Sequence, residues 1–302
     1  STQGYSSAAS DVYKRQPYAR GPIRSRQPED VIAEVKRLAE NGFKEVVLTG
    51  IHVASYGKDL KTITLTDIIR QVHEVEGIER IRFSSIEPNV VTEEFAAAMA
   101  ELPKVCDHFH LSLQSGCDKT LKEMNRKYDT EKYRQAAALL RKYLPDVAIT
   151  TDIIVGFPGE TEEDYQASRA FAEEIGFSKI HVFPYSPKKG TPAAARKDQL
   201  QNAVKQARSH DLITVSDRMT DAFLQKHVGK VMPVLFERCV GDDVYEGHTT
   251  NYMKVHARST KDLSNVIADT KILSVAEEMA FGEVQALSLI HISEPTRPEP
   301  IS

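Results

Sequence analysis

Polar residues and glycines stand at the ends of the predicted strands of this chain, where packing alone would favour apolar side chains. Glycines such as Gly50 remove side-chain bulk, so a ligand can approach the backbone there. Gln114 and Ser115 offer an amide and a hydroxyl for hydrogen bonds, and Arg126 can pair with a carboxylate or a phosphate. We therefore predict a ligand site formed by Thr49, Gly50, Ser85, Glu87, Gln114, Ser115, Arg126, Asp152, Gly156 and Gly159.

Five strand–helix units in series are predicted to position these residues. Apolar, β-rich runs at 45–50, 80–85, 108–113, 147–155 and 179–183 alternate with stretches of helical periodicity at 28–41, 65–75, 92–100, 130–143 and 162–175. This repetition predicts a parallel α/β fold, either a barrel or a doubly wound sheet. A barrel carries its function at the carboxyl ends of its strands, where the polar residues are concentrated here.

The chain changes character after a helical stretch that ends near Lys226. Short strands separated by turns follow, and they predict a small β-barrel of OB-like size over residues 227–285. Such a module can bind RNA by stacking bases on aromatic rings, for which Tyr245 and Tyr252 are the candidates. Packing of both rings inside the barrel is the alternative.

The composition is that of a globular protein, with 41% hydrophobic and 27% charged residues. Because there is neither a membrane-length apolar run nor a secretory signal, we expect a cytoplasmic protein without a membrane partner. The net charge of -4 does not indicate a nucleic-acid binder, but basic residues concentrate at 119–142 and 188–208. These segments are either phosphate-binding faces or solvated helix faces. The three cysteines, Cys106, Cys117 and Cys239, lack metal-binding spacing.

From Pro17 to about Ala194 the chain resembles the radical-SAM methylthiotransferases. The resemblance is carried by VVLTGIHVASYG, FSSIEP, HLSLQSGCDKTLKEMNRKY, TDIIVGFPGETEEDY and VFPYSPKKGTPAA, in the family's order and at about its spacing. It implies a partial radical-SAM (β/α)6-type barrel over residues 17–226 and a small all-β OB-like TRAM domain over 227–285. PYARGPIRSR and LTGIHVASYG are most similar to the branch that acts on threonylcarbamoyladenosine in tRNA. Neighbouring branches act on isopentenyladenosine in tRNA or on a ribosomal protein.

The resemblance implies S-adenosylmethionine and [4Fe–4S] clusters as cofactors. In the family, a cluster held by three cysteines leaves one iron open for S-adenosylmethionine, and reductive cleavage gives a 5′-deoxyadenosyl radical. The radical abstracts hydrogen from C2 of the modified adenine beside the anticodon. A second cluster in an N-terminal domain provides sulfur, and another S-adenosylmethionine provides the methyl group. The implied partners are tRNA and an electron donor such as a flavodoxin or ferredoxin.

The resemblance also assigns roles to individual residues. The predicted ligand site becomes the S-adenosylmethionine site, with Gln114 and Ser115 at the ribose and the backbone of Gly156 and Gly159 flat against the adenine. Glu160 is expected to cap the helix that follows. The residues expected to contact tRNA are Arg20, Arg24, Lys119, Lys188, Lys189 and Arg196, and Arg26 is expected near the same mouth.

The cysteines of the family's Cys-x3-Cys-x2-Cys cluster motif are missing. Their projected positions before Pro17 hold Ser7, Asp11 and Lys14, none of which replaces a thiolate. Residues 1–16 and 286–302 resemble translated sequencing-library adapter, through SSAASDVYKRQ and LSLIHISEPTRP. We therefore expect a truncated piece of the enzyme, without catalytic or metal-binding residues and inactive as given.

Other functions stay open at this point. A cluster-less RNA-binding protein would keep the basic residues and the β module, and the isopentenyladenosine branch would keep the same motifs. A metal-free Schiff-base aldolase is disfavoured because Lys44 and Lys179 precede the predicted strands and do not lie within the barrel.

Overall fold

The computed structural model describes residues 23–50 and 53–287. The chain divides into two compact units. The first reaches Lys226 and also includes Thr250–Tyr252, and the second consists of His227–Thr249 and the residues from Met253 onward. Within the described residues, no helix combines the length and the apolar composition needed to cross a membrane.

Strands and helices alternate along the first unit, as the sequence predicts. Its described strands are β1 (Glu45–Leu48), β2 (Arg80–Phe83), β3 (His108–His110), β4 (Ala148–Val155) and β5 (Lys179–Pro184). Its described helices are α1 (Pro28–Glu40), α2 (Leu65–His73), α3 (Glu93–Ala100), α4 (Asp118–Glu123), α5 (Thr130–Tyr143), α6 (Glu162–Ile175), α7 (Pro192–Ala195) and α8 (Asn202–Gln225). Each strand is thus followed by at least one helix, which is the α/β arrangement expected from the sequence.

All strand pairs of the first unit are parallel. β1 pairs with β2, and β4 lies between β3 and β5. Isolated parallel bridges, Ile81 to Val105 and Ile86 to Leu111, link the residues around β2 to those around β3. The carboxyl ends of the five strands therefore lie at one common edge, which we call the rim.

The helices cover one face of this sheet with a large apolar core. Strand residues such as Ile81, Phe109 and Ile149 are buried there against Tyr133 of α5 and Phe171 of α6. Tyr133 is fully buried, and its hydroxyl donates a hydrogen bond of 2.8 Å to the Leu111 carbonyl. This core packs the helices against one face of the strands, and a smaller apolar cluster that includes Ile154 and Phe183 packs near the carboxyl ends of β4 and β5.

Local sequence signals determine where the helices begin. Thr64 and Thr161 cap α2 and α6, and in both capping boxes an aspartate at the third helical position bonds back to the threonine backbone. Pro28 opens α1 at a position where its missing N–H costs nothing. Gly176 ends α6 in the left-handed conformation, with φ of 66°.

The second unit is a closed five-stranded barrel. Its strands are β6 (Val231–Gly241), β7 (Val244–Thr249), β8 (Lys254–Arg258), β9 (Val266–Ala276) and β10 (Met279–Leu287), in the spatial order β10-β8-β7-β6-β9. Residues such as Val234, Phe236 and Val255 are fully buried. The small all-β module expected from the sequence is therefore present, and β10 extends two residues beyond its expected end at 285.

The tyrosines predicted to stack on RNA differ in exposure. Tyr245 of β7 is buried, so its ring packs within the protein and the stacking interpretation is wrong for it. Tyr252 is 51% exposed, but it belongs to the first unit.

Candidate ligand site on the inner face of the sheet

The face of the sheet opposite the helices, here the inner face, carries a group of polar side chains, and Ile154 and Phe183 on the same face belong to a small apolar cluster. Successive strand residues alternate between faces, so the positions between the core residues of β3, β4 and β5 share this inner face. We call five of them the polar wall: His108, His110, Thr150, Asp152 and His181. The strand register places His110 beside Thr150 and Asp152 beside His181.

A chain of contacts orders the polar wall. The Thr150 hydroxyl lies 3.1 Å from His108 Nε2 and 3.1 Å from His110 Nδ1. Because a hydroxyl donates only one proton, it donates to one imidazole and accepts from the other. His110 Nε2 lies 3.6 Å from Asp152 Oδ2. A proton on Nε2 is favoured next to a carboxylate, so Thr150 donates to His110 and His108 donates to Thr150.

Gln114 is the most unusual residue at the rim. Its backbone is left-handed, with φ of 75°, although it is not a glycine. Its amide donates a 2.8 Å hydrogen bond to the Asp152 carbonyl, and its carbonyl accepts one of 2.9 Å from the Ile154 amide. These bonds hold the side chain in a buried position, where Oε1 has no hydrogen-bond partner among the described residues. A buried polar atom of this kind is costly unless a ligand completes it.

The residues after β2 present a similar case. The Ser84 hydroxyl is buried and, in the part of the chain that the structure describes, has no hydrogen-bond partner. Ser85, which the sequence singled out, is exposed, and Glu87 is half-buried. Thr49 and Gly50 follow β1 and are exposed. The sequence prediction therefore named Ser85, which is next to the buried Ser84 hydroxyl. The alternation of strand residues between the two faces would have indicated Ser84.

Ser115 and Arg126 follow Gln114 along the chain. Ser115 is buried, and its hydroxyl accepts a 3.2 Å hydrogen bond from the Cys117 amide, so its first role is to shape the turn before α4. Arg126 is half-buried, and its amide donates to the Leu121 carbonyl at 2.9 Å. The predicted contacts of both residues with a ligand stay predictions.

The loop from Gly156 to Gly159 requires glycine at both ends. Both glycines have positive φ, 72° and 80°, so their conformation favours glycine. A Cβ at Gly156 would collide with the Lys205 side chain, and a Cβ at Gly159 with Arg196 and Asp198. Side chains of this chain therefore fill the space where the Cβ atoms would lie, and the predicted contact of the two glycine backbones with an adenine stays a prediction.

The expected role of Glu160 as a helix cap is wrong. Thr161 is the N-cap of α6. The buried Glu160 carboxylate instead accepts hydrogen bonds from the Gly156 amide at 2.6 Å and from Arg208 at 2.7 Å. Burial raises the pKa of Glu160, while these two donors act to lower it. Glu160 thus links Arg208 to the Gly156 amide and holds the glycine loop in place.

Three residues predicted to contact RNA are open to solvent. Lys188, Lys189 and Arg24 are exposed, and in the described ranges no carboxylate pairs with the two lysines. The segment that carries Arg24 and Arg26 is fixed by Ser25, whose amide and hydroxyl donate to Asp59 at 2.8 and 2.5 Å.

The other predicted RNA contacts already have protein partners. Arg196 donates hydrogen bonds to Glu123 at 2.8 Å and to Asp198 at 2.9 Å. Lys119 donates to Asp164 at 2.5 Å. Both cations therefore stabilise loops of this unit first, which weakens the prediction that they bind phosphates. Arg20 lies outside the described residues.

The cysteines do not form a cluster site. Cys106 and Cys117 are buried, whereas Cys239 is exposed. Burial raises the pKa of the Cys106 thiol to about 11, which disfavours the thiolate that iron requires. Among the described residues, no three His, Cys, Asp or Glu side chains are placed to hold a metal ion. The described residues therefore do not fit a [4Fe–4S] cluster, and Ser7, Asp11 and Lys14 lie outside them.

Comparison with known proteins gives consistent matches. The sequence profile of the Radical SAM superfamily matches residues 7–172, more than half of the chain. Over 262 residues the chain is 41% identical to the threonylcarbamoyladenosine tRNA methylthiotransferase MtaB of Bacillus subtilis (strain 168), covering 85% of this chain and 58% of that protein. Over 271 residues it is 42% identical to the tRNA-2-methylthio-N(6)-dimethylallyladenosine synthase of Thermoanaerobacter sp. (strain X514), covering 89% of this chain and 58% of that protein. The chain thus spans a little over half the length of these curated relatives.

Solved structures resemble the chain more remotely. Coproporphyrinogen III oxidase (HemN) from Escherichia coli, described as a radical SAM enzyme, aligns with a TM-score of 0.48 and 11% identity. The alignment covers 76% of this chain and 62% of that one. A likeness at this level carries no conclusion of its own.

Proposed function

The chain belongs to the radical SAM superfamily, and on that premise we propose that it is part of a tRNA methylthiotransferase. The proposed reaction adds a methylthio group to C2 of N6-threonylcarbamoyladenosine next to the anticodon. The observation that carries the proposal is the 41% identity, over 85% of the chain, with the Bacillus subtilis enzyme named for this nucleoside. Because the chain spans only 58% of that relative, the activity is proposed for the protein of which this chain would be a part.

The inner face supports binding of S-adenosylmethionine. Gln114 Oε1 and Ser84 Oγ are buried acceptors that ligand hydroxyl or ammonium groups would complete. Asp152 adds a carboxylate on the same face, which suits a cationic sulfonium or ammonium group. When bound, this cofactor supplies the adenosyl radical and the methyl group. The residues of this chain bind and orient it, and the polar wall borders the space beside it.

The proposed chemistry needs cluster ligands that this chain lacks, so we expect the chain as given to be inactive. A direct test restores the three cysteines at the projected positions, through Ser7→Cys, Asp11→Cys and Lys14→Cys in one variant. After anaerobic reconstitution, the restored variant is expected to hold about four iron atoms and the original chain almost none. Adding S-adenosylmethionine and dithionite should then yield 5′-deoxyadenosine from the restored variant alone.

The matched control places three cysteines elsewhere in the same segment, through Ser6→Cys, Ser10→Cys and Tyr13→Cys. This variant keeps the motif spacing but shifts it by one residue relative to Pro17. Iron bound equally by both triple variants would show only unspecific thiol binding. A cluster without 5′-deoxyadenosine formation in the restored variant would contradict the radical chemistry.

Transfer RNA is the proposed macromolecular partner. The exposed Lys188, Lys189 and Arg24 support contacts with phosphates, which position an RNA without reading its sequence. The double variant Lys188→Ala/Lys189→Ala should therefore weaken binding of an anticodon stem-loop and reduce its salt dependence. An electron donor such as a flavodoxin or ferredoxin belongs to the same proposal, and so does function in the cytoplasm.

The dimethylallyladenosine branch is the second candidate. It is supported by the 42% identity over 271 residues with the Thermoanaerobacter synthase. Binding of stem-loops that carry threonylcarbamoyladenosine, dimethylallyladenosine or unmodified adenosine separates the two branches. Equal binding of all three, without iron binding by the restored variant, would instead favour a cluster-less RNA-binding protein.

A further inference from the structure

The polar wall contains a histidine that the predicted ligand site did not include. His181 lies on β5, next to Asp152 of β4 in the strand register. Its ring is exposed and stacks on the ring of His110, with centroids 6.0 Å apart and planes 26° apart. His181 is therefore exposed and stacks on a neighbouring imidazole.

The neighbours of His181 on the polar wall contact one another and so fix their orientations. The Thr150 hydroxyl contacts His108 and His110, and the Asp152 carboxylate, 3.6 Å from His110 Nε2, favours a proton on that nitrogen. Asp152 in turn adjoins His181. The polar wall thus presents a carboxylate acceptor beside imidazole groups, and contacts within the wall orient these side chains. Preorganised polar groups of this kind bind a polar partner with little loss of side-chain entropy.

One unpartnered atom of the polar wall supports a polar partner. His110 Nε2 is buried and makes no hydrogen bond among residues 23–50 and 53–287. A hydrocarbon placed against this atom would leave it without water and without a partner, which is unfavourable. A ligand with its own N–H, C=O and carboxylate groups avoids this cost.

We propose that His181 contacts the polar N6 substituent of the substrate adenosine and thereby favours a threonylcarbamoyl group over a dimethylallyl group. This inference rests on the proposed function and assigns its substrate preference to one residue. A threonylcarbamoyl group offers ureido N–H donors, carbonyl acceptors and a carboxylate. His181 donates to the carbonyl or carboxylate oxygen. A dimethylallyl group is a five-carbon hydrocarbon and offers His181 no acceptor.

The test measures dissociation constants of this chain for three anticodon stem-loops of identical sequence. They carry threonylcarbamoyladenosine, dimethylallyladenosine or unmodified adenosine. The variant His181→Phe keeps an aromatic ring for stacking on His110 but removes both ring nitrogens. The variant His181→Gln keeps a donor and is the conservative rescue. His210→Phe makes the same change at an exposed position of α8 and serves as the matched control.

His181→Phe is expected to weaken binding of the threonylcarbamoyl stem-loop about three- to tenfold, as loss of one neutral hydrogen bond predicts. Binding of the unmodified stem-loop should stay unchanged, and binding of the dimethylallyl stem-loop should stay equal or tighten. His181→Gln should recover most of the loss, and His210→Phe should cause none. Thermal unfolding of each variant confirms that the fold is retained.

The measured constants distinguish failure of the assignment to His181 from failure of the proposed function. If the original chain prefers the threonylcarbamoyl stem-loop and His181→Phe keeps that preference, the assignment to His181 is overturned while the proposed function stands. If the original chain does not distinguish the three stem-loops, the proposed substrate and the role of His181 both fall. Equal weakening of all three stem-loops by His181→Phe would also overturn the assignment, because it indicates a general contact with RNA.

Discussion

Arg208 and Glu160 form an ion pair inside the first unit, with Nη1 donating to Oε2 at 2.7 Å. The exposed fractions of the two side chains are 8% and 2%. Glu160 also accepts a hydrogen bond from the Gly156 amide, so the pair joins α8 to the glycine loop at the rim. Removing one partner of a buried pair leaves the other charge unpaired and poorly solvated.

The variant Arg208→Met should destabilise the protein by about 3 to 5 kcal/mol, because Glu160 then loses its cationic partner. Urea denaturation followed by far-UV circular dichroism measures this loss. Arg218→Met is the matched control, because Arg218 pairs with Glu173 at the surface and its side chain is 66% exposed. The control should cost less than about 1 kcal/mol. Equal effects of the two substitutions would contradict the burial argument.

Gly57→Ala should also be strongly destabilising. Gly57 has φ of 84°, and a Cβ there would collide with the backbone carbonyl of Ile63. Since backbone cannot rotate away as a side chain can, we expect a loss of about 3 kcal/mol or more. Gly176→Ala has a similar φ of 66° but open space around the added methyl group. It should cost only about 1 kcal/mol, so a similar loss in both variants would refute the steric argument.

The second unit should lose stability in acid through Glu246. A hydrogen bond with His256, followed by one from Arg238, lowers the pKa of Glu246 from 4.5 to about 2. A carboxylate with a lower pKa in the folded state contributes stability above its unfolded pKa. That contribution is lost as the pH falls from about 4.5 towards about 2.

Denaturation of the barrel at about pH 6 and about pH 3 measures this contribution. Glu246→Gln should reduce the difference in unfolding free energy between the two pH values. Glu283→Gln, an exposed position of β10 in the same barrel, is the control and should leave the difference unchanged. An unchanged pH dependence in Glu246→Gln would exclude Glu246 as its source.

Thiol titration should distinguish the three cysteines. Cys106 is buried and its pKa is raised to about 11, and Cys117 is buried as well, so neither should react in the folded protein near neutral pH. Cys239 is exposed and should react readily with Ellman's reagent. The variant Cys239→Ser should then show almost no reaction until denaturant is added. Fast reaction of a second thiol in the native chain would contradict the buried positions.

Much of the fold could be predicted because hydrophobic periodicity reports directly which face of an element is buried. The five parallel strands and their helices lie within a few residues of the predicted ranges. In the barrel, the turn before β10 is harder to recognise, because Glu277 and Glu278 adopt left-handed conformations that glycine or asparagine usually occupies.

The candidate site was predicted less well, because its chemistry depends on contacts between distant residues. The sequence placed Gln114 and Asp152 in one ligand site, which stays a prediction, and it gave no sign that Arg196 is held by Glu123. It also missed His181, which becomes notable only when the register places it beside Asp152. Side-chain partners across a sheet are set by tertiary packing, which local patterns do not encode.

The arrangement of the sheet separates what makes the first unit fold from what makes it selective. The main apolar core lies on the helix side, and the five residues of the polar wall are outside it. Substitutions of the exposed His181 are therefore expected to have small folding consequences. Under the proposed function, a change at such a position can alter the nucleoside preference while the scaffold stays the same. Under the same proposal, substrate choice can diverge among relatives with little loss of folding stability.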